Sequence, residues 1–274
     1  MSLKSILVAA SGESDDAQVI AAAAALAARV GGYVQVTPAF ADPAADYVAY
    51  GAALAASGSA AARIAQSEHA AQERVEAIAR DAAARERVTI EVSQRALLPP
   101  VALARAAVLA DVVMFAAAAA QSQTFAPLFA ETLLATRAPV LLTRAATVLS
   151  GPAAIAWDGS AQAGRAVRAA LPLLALAPGV LIVRNVDDAG AADTAGDPER
   201  LRTYLAAHGV SDIAVRNVRG ERVAASLLAA AQADNCALLI AGAYGRPRFY
   251  EMVLGGATRA FVNAAEGPSL LLAH

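Results

Sequence analysis

The chain has 274 residues, 58% of them hydrophobic and 17% charged, with a formal net charge of -2. That is enough apolar surface for one large domain or two small ones, and the near-neutral balance argues against a general nucleic-acid binder, which carries a strong basic excess. A single cysteine, Cys236, and three scattered histidines, His69, His208 and His274, exclude an internal disulfide and offer no zinc or iron–sulfur pattern.

The opening stretch, MSLKSILVAASGESDD, turns acidic quickly and lacks the continuous apolar segment of a signal peptide. An alanine-rich run over 21–28 ends at Arg29, too short to span a bilayer. A soluble, cytoplasmic protein is expected.

SILVAA (5–10) reads as a buried strand, and a helix is predicted from about Ser14 to Arg29. Two glycines stop it, and YVQVTPAF starts a second strand. DPAADYVAYGAALAASGS then leads into a long helix, about Ser59 to Glu86, whose plain reading is a helix and lid packed on one face and whose alternative is a partner or ligand surface. VTIEVSQ (88–94), a helix in PPVALARAAVLA, the strand DVVMFAA, a further helix and APVLLTR (138–144) complete the first half.

Gly151 and Pro152 in AATVLSGPAA break any regular element, so the boundary is expected near residue 148, giving domains 1–148 and 149–274. The second half then repeats the first. AAIAW is a strand, Ser160 to Leu176 a helix and VLIVRNV a strand; an acidic loop, VDDAGAADTAGDPE, replaces the longer insertion. DIAVRNVRG matches VTIEVSQ, CALLIAGA matches DVVMFAA, and GPSLLLAH (267–274) matches APVLLTR. Short apolar strands alternating with helices predict parallel sheets covered on both faces. The expected class is α/β, with two tandem doubly wound five-stranded sheets.

In such sheets ligands sit beyond the C-terminal strand ends, at the switch in strand order. Two places in the second half have that address. One is AWDGS; the other is LLIAGAYGRPRFYEMVLGGATRAF. There, Gly242 and Gly245 end the fourth strand and permit positive φ and close backbone approach. Gly255 and Gly256 open the last helix, where unpaired N–H groups favour an anion. Arg246, Arg248 and Arg259 add cationic groups suited to phosphate oxygens. The stretch is neither a Walker A loop nor G-x-G-x-x-G. A plain turn with solvated arginines is the bland alternative, and spacing alone does not separate the two.

The spacing Gly242-x2-Gly245-x9-Gly255 resembles the nucleotide-binding signature of the universal stress protein family, DGS (158–160) resembles that family's first-strand end, and VRNV its second-strand end. The resemblance covers the chain as two tandem copies. It implies an adenine-nucleotide-binding fold of strand order 3-2-1-4-5, paired through the fifth strands. It also implies ATP or AMP as ligand, with magnesium accompanying the phosphates. By position, Asp158 would face the adenine or ribose, Val186 would meet the adenine through its backbone, and Gly242, Gly245 and Gly255 would line the phosphates. Gly159, Ser160, Arg246, Arg248, Gly256, Ala257 and Thr258 complete the expected site. Where the family has Ser or Thr, this chain has Gly256, which removes a hydroxyl ligand for the terminal phosphate; Thr258 lies two residues on. Backbone N–H groups still do most of the cradling.

The first half departs from the pattern. Ser11 stands where Asp158 stands, and its loop, FAAAAAQSQTFAPLFAETLL, has no glycine. Alanine takes φ > 0 only at a cost. This half is therefore expected to bind no nucleotide in the family's manner and to act as a built-in partner, leaving monomer or homodimer open.

Other residues have plain readings. Ser160 is expected to cap a helix, since no G-x-S-x-G elbow surrounds it. Asp15 and Asp16 belong in a helix's first turn, and Cys236 in the core. Trp157 fits either a base stack or the core, and Tyr244 and Tyr250 fit either ligand contact or lid packing. No nucleophile, base and metal set is visible, so slow ATP hydrolysis would be incidental to a stress-response binding module. Two alternatives stay open. One is a nucleotide-free pseudo-dimeric scaffold for protein partners. The other is an ATP-pyrophosphatase-type enzyme, of whose loop AASGESDD is a faint echo.

Overall fold

The computed structural model describes residues 2–40, 58–94, 99–122, 125–144, 150–187, 196–243 and 256–274, with side chains of the second stretch described from residue 66. In the first half the elements are β1 (Ser5–Ala10), α1 (Asp16–Val30), β2 (Tyr33–Pro38), α2 (Gly58–Glu86), β3 (Ile90–Val92), α3 (Pro99–Ala107), β4 (Val112–Ala116), α4 (Ala117–Gln121), α5 (Ala126–Glu131) and β5 (Val140–Thr143). The second half has β6 (Ala153–Ala156), α6 (Ala161–Leu174), β7 (Val180–Asn185), α7 (Pro198–Ala207), β8 (Ile213–Val218), α8 (Val223–Ala233), β9 (Leu238–Gly242), α9 (Gly256–Val262) and β10 (Ser269–Ala273).

Local chemistry sets several boundaries. Gly31 ends α1 in the left-handed region, φ 60°, and returns its N–H to Ala27 O. Ser160 begins α6 by accepting the Ala163 N–H at 3.1 Å. Between β4 and β5 the single helix expected from sequence is instead α4, α5 and a π-helical turn over Thr132–Thr136. Pro127 lies in the first turn of α5, where its missing N–H costs nothing.

The strands form one sheet in the order β3-β2-β1-β4-β5-β10-β9-β6-β7-β8. Each half thus has the expected order 3-2-1-4-5, with parallel neighbours throughout. The halves meet through their fifth strands, β5 and β10, which pair antiparallel with Leu142 opposite Leu270 and Val140 opposite Leu272. The six central strands β1, β4, β5, β10, β9 and β6 are almost wholly buried, as helices on both faces require.

One apolar cluster joins Val8, Met114, Ile155 and Ile240 to α1, α2, α6 and α7. The other joins Phe115, Leu142, Leu239 and Leu272 to α3, α5, α8 and α9. Polar contacts fasten the join between halves. The Arg144 guanidinium, just past β5, donates to the carbonyls of Pro268 (2.6 Å), Phe261 (2.8 Å) and Ala264 (3.3 Å), capping the C-terminal end of α9. Burial lowers the pKa of Arg144. Gln121 Nε2 donates to Val262 O, and Arg29 to Leu176 O. The boundary expected near 148 lies outside the described residues; β5 ends at Thr143 and β6 begins at Ala153.

Candidate functional site

The second half has its strand-order switch between β6 and β9, which pair in register with Ile155 opposite Ile240. Beyond β6 the chain turns sharply. Asp158 Oδ1 accepts the Ser160 N–H at 2.8 Å, an Asx-turn. Gly159 sits at φ 76°, a conformation other residues adopt only at a cost. Asp158 is exposed, so its carboxylate stands at the sheet end in solvent. Trp157, by strand alternation, points to the opposite face and packs against the α6 and α7 cluster. Gly196 fits between the Asp158 carbonyl and the Arg184 guanidinium, with its position for a Cβ 3.3 Å and 3.4 Å from them.

Gly242 ends β9 for a packing reason. A Cβ there would lie 2.5 Å from Ala163 N and 2.7 Å from Gln162 C, so the first turn of α6 rests on its backbone. Gly245, Arg246, Arg248 and Gly255, with Tyr244 and Tyr250, lie outside the described residues. Gly256 opens α9, and none of the described residues comes within 4 Å of where its Cβ would be. Gly256 and Ala257 are exposed, whereas Thr258 is 4% exposed and turned into the core. Val186 donates its N–H to Val218 O at 3.0 Å, so a base recognised at this position is met through the Val186 carbonyl.

Sheet register aligns the halves. Ile6 opposes Val112 as Ala153 opposes Leu238. Ser11 is thereby the counterpart of Asp158, Gly12 of Gly159, Ala116 of Gly242 and Phe40 of Val186. Ser11 Oγ accepts the Glu13 N–H at 3.2 Å, the same turn that Asp158 makes. Gly12 is likewise left-handed, φ 83°. What differs is the space above the turn. Phe40, 6% exposed, lies with Cδ1 3.0 Å from the Cβ position of Gly12, and Ala71 of α2 closes in at 3.5 Å. The first half's equivalent of the site is filled by its own side chains.

Asp16, 1% exposed, ties this plugged turn together by accepting from Ser11 N (2.8 Å), Ser11 Oγ (3.1 Å) and Gly12 N (2.7 Å). Desolvation raises its pKa, and the same hydrogen bonds pull the other way. The sequence reading placed Asp16 in a first helical turn but missed this role, and it missed Phe40. An aromatic two residues past the second strand, at the position that Val186 holds in the second half, is the signal that marks the plug.

Cys236 is buried, and burial pushes its thiol up to about 11, an unreactive state at neutral pH. Among the described residues no cluster of three or more His, Cys, Asp or Glu side chains gathers, and no helix is long and apolar enough to cross a membrane.

Residues 152–272 match the sequence model of the Universal stress protein family. No curated protein sequence matches the chain. Among solved structures, the fold is similar to a universal stress protein from Archaeoglobus fulgidus DSM 4304, with a TM-score of 0.71 and 15% identity, covering 99% of this chain and 96% of that one. It is also similar to a functionally unknown protein from Pseudomonas aeruginosa PAO1 (TM-score 0.60, 15% identity, 99% and 92% covered). A putative universal stress protein from P. aeruginosa UCBPP-PA14 is a third (TM-score 0.58, 16% identity, 99% and 93% covered). These likenesses span both halves, while the sequence match falls on the second. The C-terminal half thus matches the Universal stress protein family in sequence, and the N-terminal half repeats the same fold.

Proposed function

We propose that the protein is a tandem stress-response module that binds one adenine nucleotide, ATP or AMP, in its C-terminal half, with the N-terminal half as a permanent fold partner. The observation that carries this reading is the contrast at the aligned turns. The turn ending in Asp158 falls in the half that matches the family and leaves its carboxylate in solvent, whereas Phe40 fills the other. The Val186 carbonyl suits an exocyclic amine, which adenine carries and guanine lacks at that position. Gly256 and Ala257 are exposed at the start of α9, on the segment where terminal phosphates would lie. Magnesium would enter with the phosphates, as their counter-ion. The module acts by changing conformation or partners in the cytoplasm, and hydrolysis of ATP is incidental. Domains of 1–148 and 149–274 follow from this reading.

The test is mass spectrometry of denatured purified protein for a copurifying nucleotide, followed by thermal melts with ATP and AMP. Ligand at about 100 times its Kd stabilises by about 2.7 kcal/mol. Asp158→Ala and Gly245→Asp should each remove that shift. Full response in both variants would move the site elsewhere, and no response in the parent protein would favour the nucleotide-free scaffold.

A further inference from the structure

A cavity of about 610 Å³ opens on the other side of the β6 turn, between α6 and α7, where Trp157 points. Its apolar lining includes Trp157, Leu201 and Tyr204, and its polar lining Arg165, Arg168 and Arg200. Gly159 and Ser160 of the turn also line it, whereas Asp158 does not. Arg165 and Arg168 are three apart on α6 and so share a face; Arg200 reaches in from α7.

Three features set this cavity apart from an ordinary solvated groove. First, among the described residues, Arg165, Arg168 and Arg200 have no ion-pair or hydrogen-bond partner. The nearby acids among the described residues are committed elsewhere. Glu199 faces Arg202, and Asp111, which lines an adjoining cavity with Arg165 and Arg168, accepts the N–H groups of Lys4 and Ser5. Second, Arg200 is in the first turn of α7, where the helix dipole disfavours a cation. A residue chosen against local stability marks a functional site more often than a structural one. Third, Trp157 Nε1 is buried with no acceptor. Arg184, level with Trp157 across the β6–β7 ladder, has a buried Nε in the same condition. A buried N–H without an acceptor costs about 1–3 kcal/mol.

We infer that this cavity is a second ligand site, built for a small aromatic anion such as an aryl or heteroaryl phosphate. The aromatic body lies against Trp157, Tyr204 and Leu201, and the anionic group meets the arginine trio, whose planar forks match phosphate oxygens. The site borders the proposed nucleotide position at Gly159 and Ser160, which line the cavity, and extends from them between α6 and α7, away from Asp158.

Trp157 is the only tryptophan in the chain, so its fluorescence reads this cavity directly. Titration with phenyl phosphate should give a saturable change in Trp157 emission. Inorganic phosphate at equal concentration should give a much weaker one. The Arg165→Gln/Arg200→Gln double variant, whose side chains are exposed and whose folding is checked by its melting curve, should weaken the apparent affinity at least about tenfold. Asp158→Ala should leave the phenyl phosphate response in place and lose only the response to ATP. The inference is overturned by no saturable change, by an undiminished response in the double variant, by equal responses to the two phosphates, or by loss of the phenyl phosphate response in Asp158→Ala alone.

Discussion

At the ends of their first strands the two halves make the same turn with different residues. Ser11 and Asp158 each accept the N–H two residues on, and Gly12 and Gly159 share the left-handed conformation. The shared geometry shows that the turn needs a short oxygen acceptor, which serine supplies as well as aspartate. The charge on Asp158 is therefore surplus to folding, and it stands exposed. Its counterpart lies under Phe40, closed from solvent. Duplication has left one copy with a filled strand end and one with an open, charged end. Architecture alone does not distinguish them.

The largest effect should come from emptying the filled copy. Phe40→Ala removes a ring packed on Gly12 and Ala71 and should destabilise the protein by about 3 kcal/mol, read by urea denaturation. It should not create ATP binding, because the first half still lacks the glycine loop and the carboxylate. A loss below about 1 kcal/mol would mean that the ring is not a packed plug.

Next is the pair at the fourth-strand ends. Gly242→Ala places a methyl 2.5 Å from Ala163 N and should cost about 2 kcal/mol, because backbone has to shift. Its mirror, Ala116→Gly, relieves no such contact and should cost only about 1 kcal/mol, chiefly as lost packing and added chain entropy. Equal costs from the two substitutions would break the claim that α6 rests on Gly242. They would also restore the simpler view of that glycine as a phosphate-loop residue alone.

Asp158→Ser copies the first half's residue into the second. Stability should change by less than about 0.5 kcal/mol, since the turn keeps its acceptor. The thermal response to ATP should vanish. A variant that loses stability but keeps the ATP response would reverse the assignment, making Asp158 structural and the nucleotide site independent of it.

Periodicity and turn residues carried most of the architecture. Strand order and the β5–β10 join followed once the duplication was read as two copies of a known fold, and the register bears out both. The helix after β4 was misread as one element because alanine runs mark helix without marking where it breaks; Pro127 holds that information. Gly242 was legible as a special position, but its packing against Gln162 and Ala163 was not. That contact joins residues about eighty positions apart, and no local pattern encodes it. The Phe40 plug was hidden for the same reason. An aromatic after a strand reads as core until the copy it should resemble is aligned beside it, and only register supplies that alignment.

The smallest expected effect tests the finest difference from the family's pattern. Gly256 opens α9 with no described residue within 4 Å of its Cβ position, so a serine there clashes with none of them. Gly256→Ser should also leave the fold's stability nearly unchanged, because serine at a helix start loses nothing relative to glycine and offers a side-chain oxygen. If ATP reaches this helix, the new hydroxyl adds one hydrogen bond to a charged phosphate. That is worth about 1.5 kcal/mol, or about tenfold in Kd. AMP, whose single phosphate sits nearer the ribose, should gain much less. Calorimetric titration of parent and variant with both nucleotides therefore reports where the terminal phosphate lies. A gain for ATP alone puts it at residue 256. An equal gain for both moves the α-phosphate there, and no gain for either places the phosphates away from α9, leaving Asp158 and Val186 to hold a nucleoside without help from the last helix.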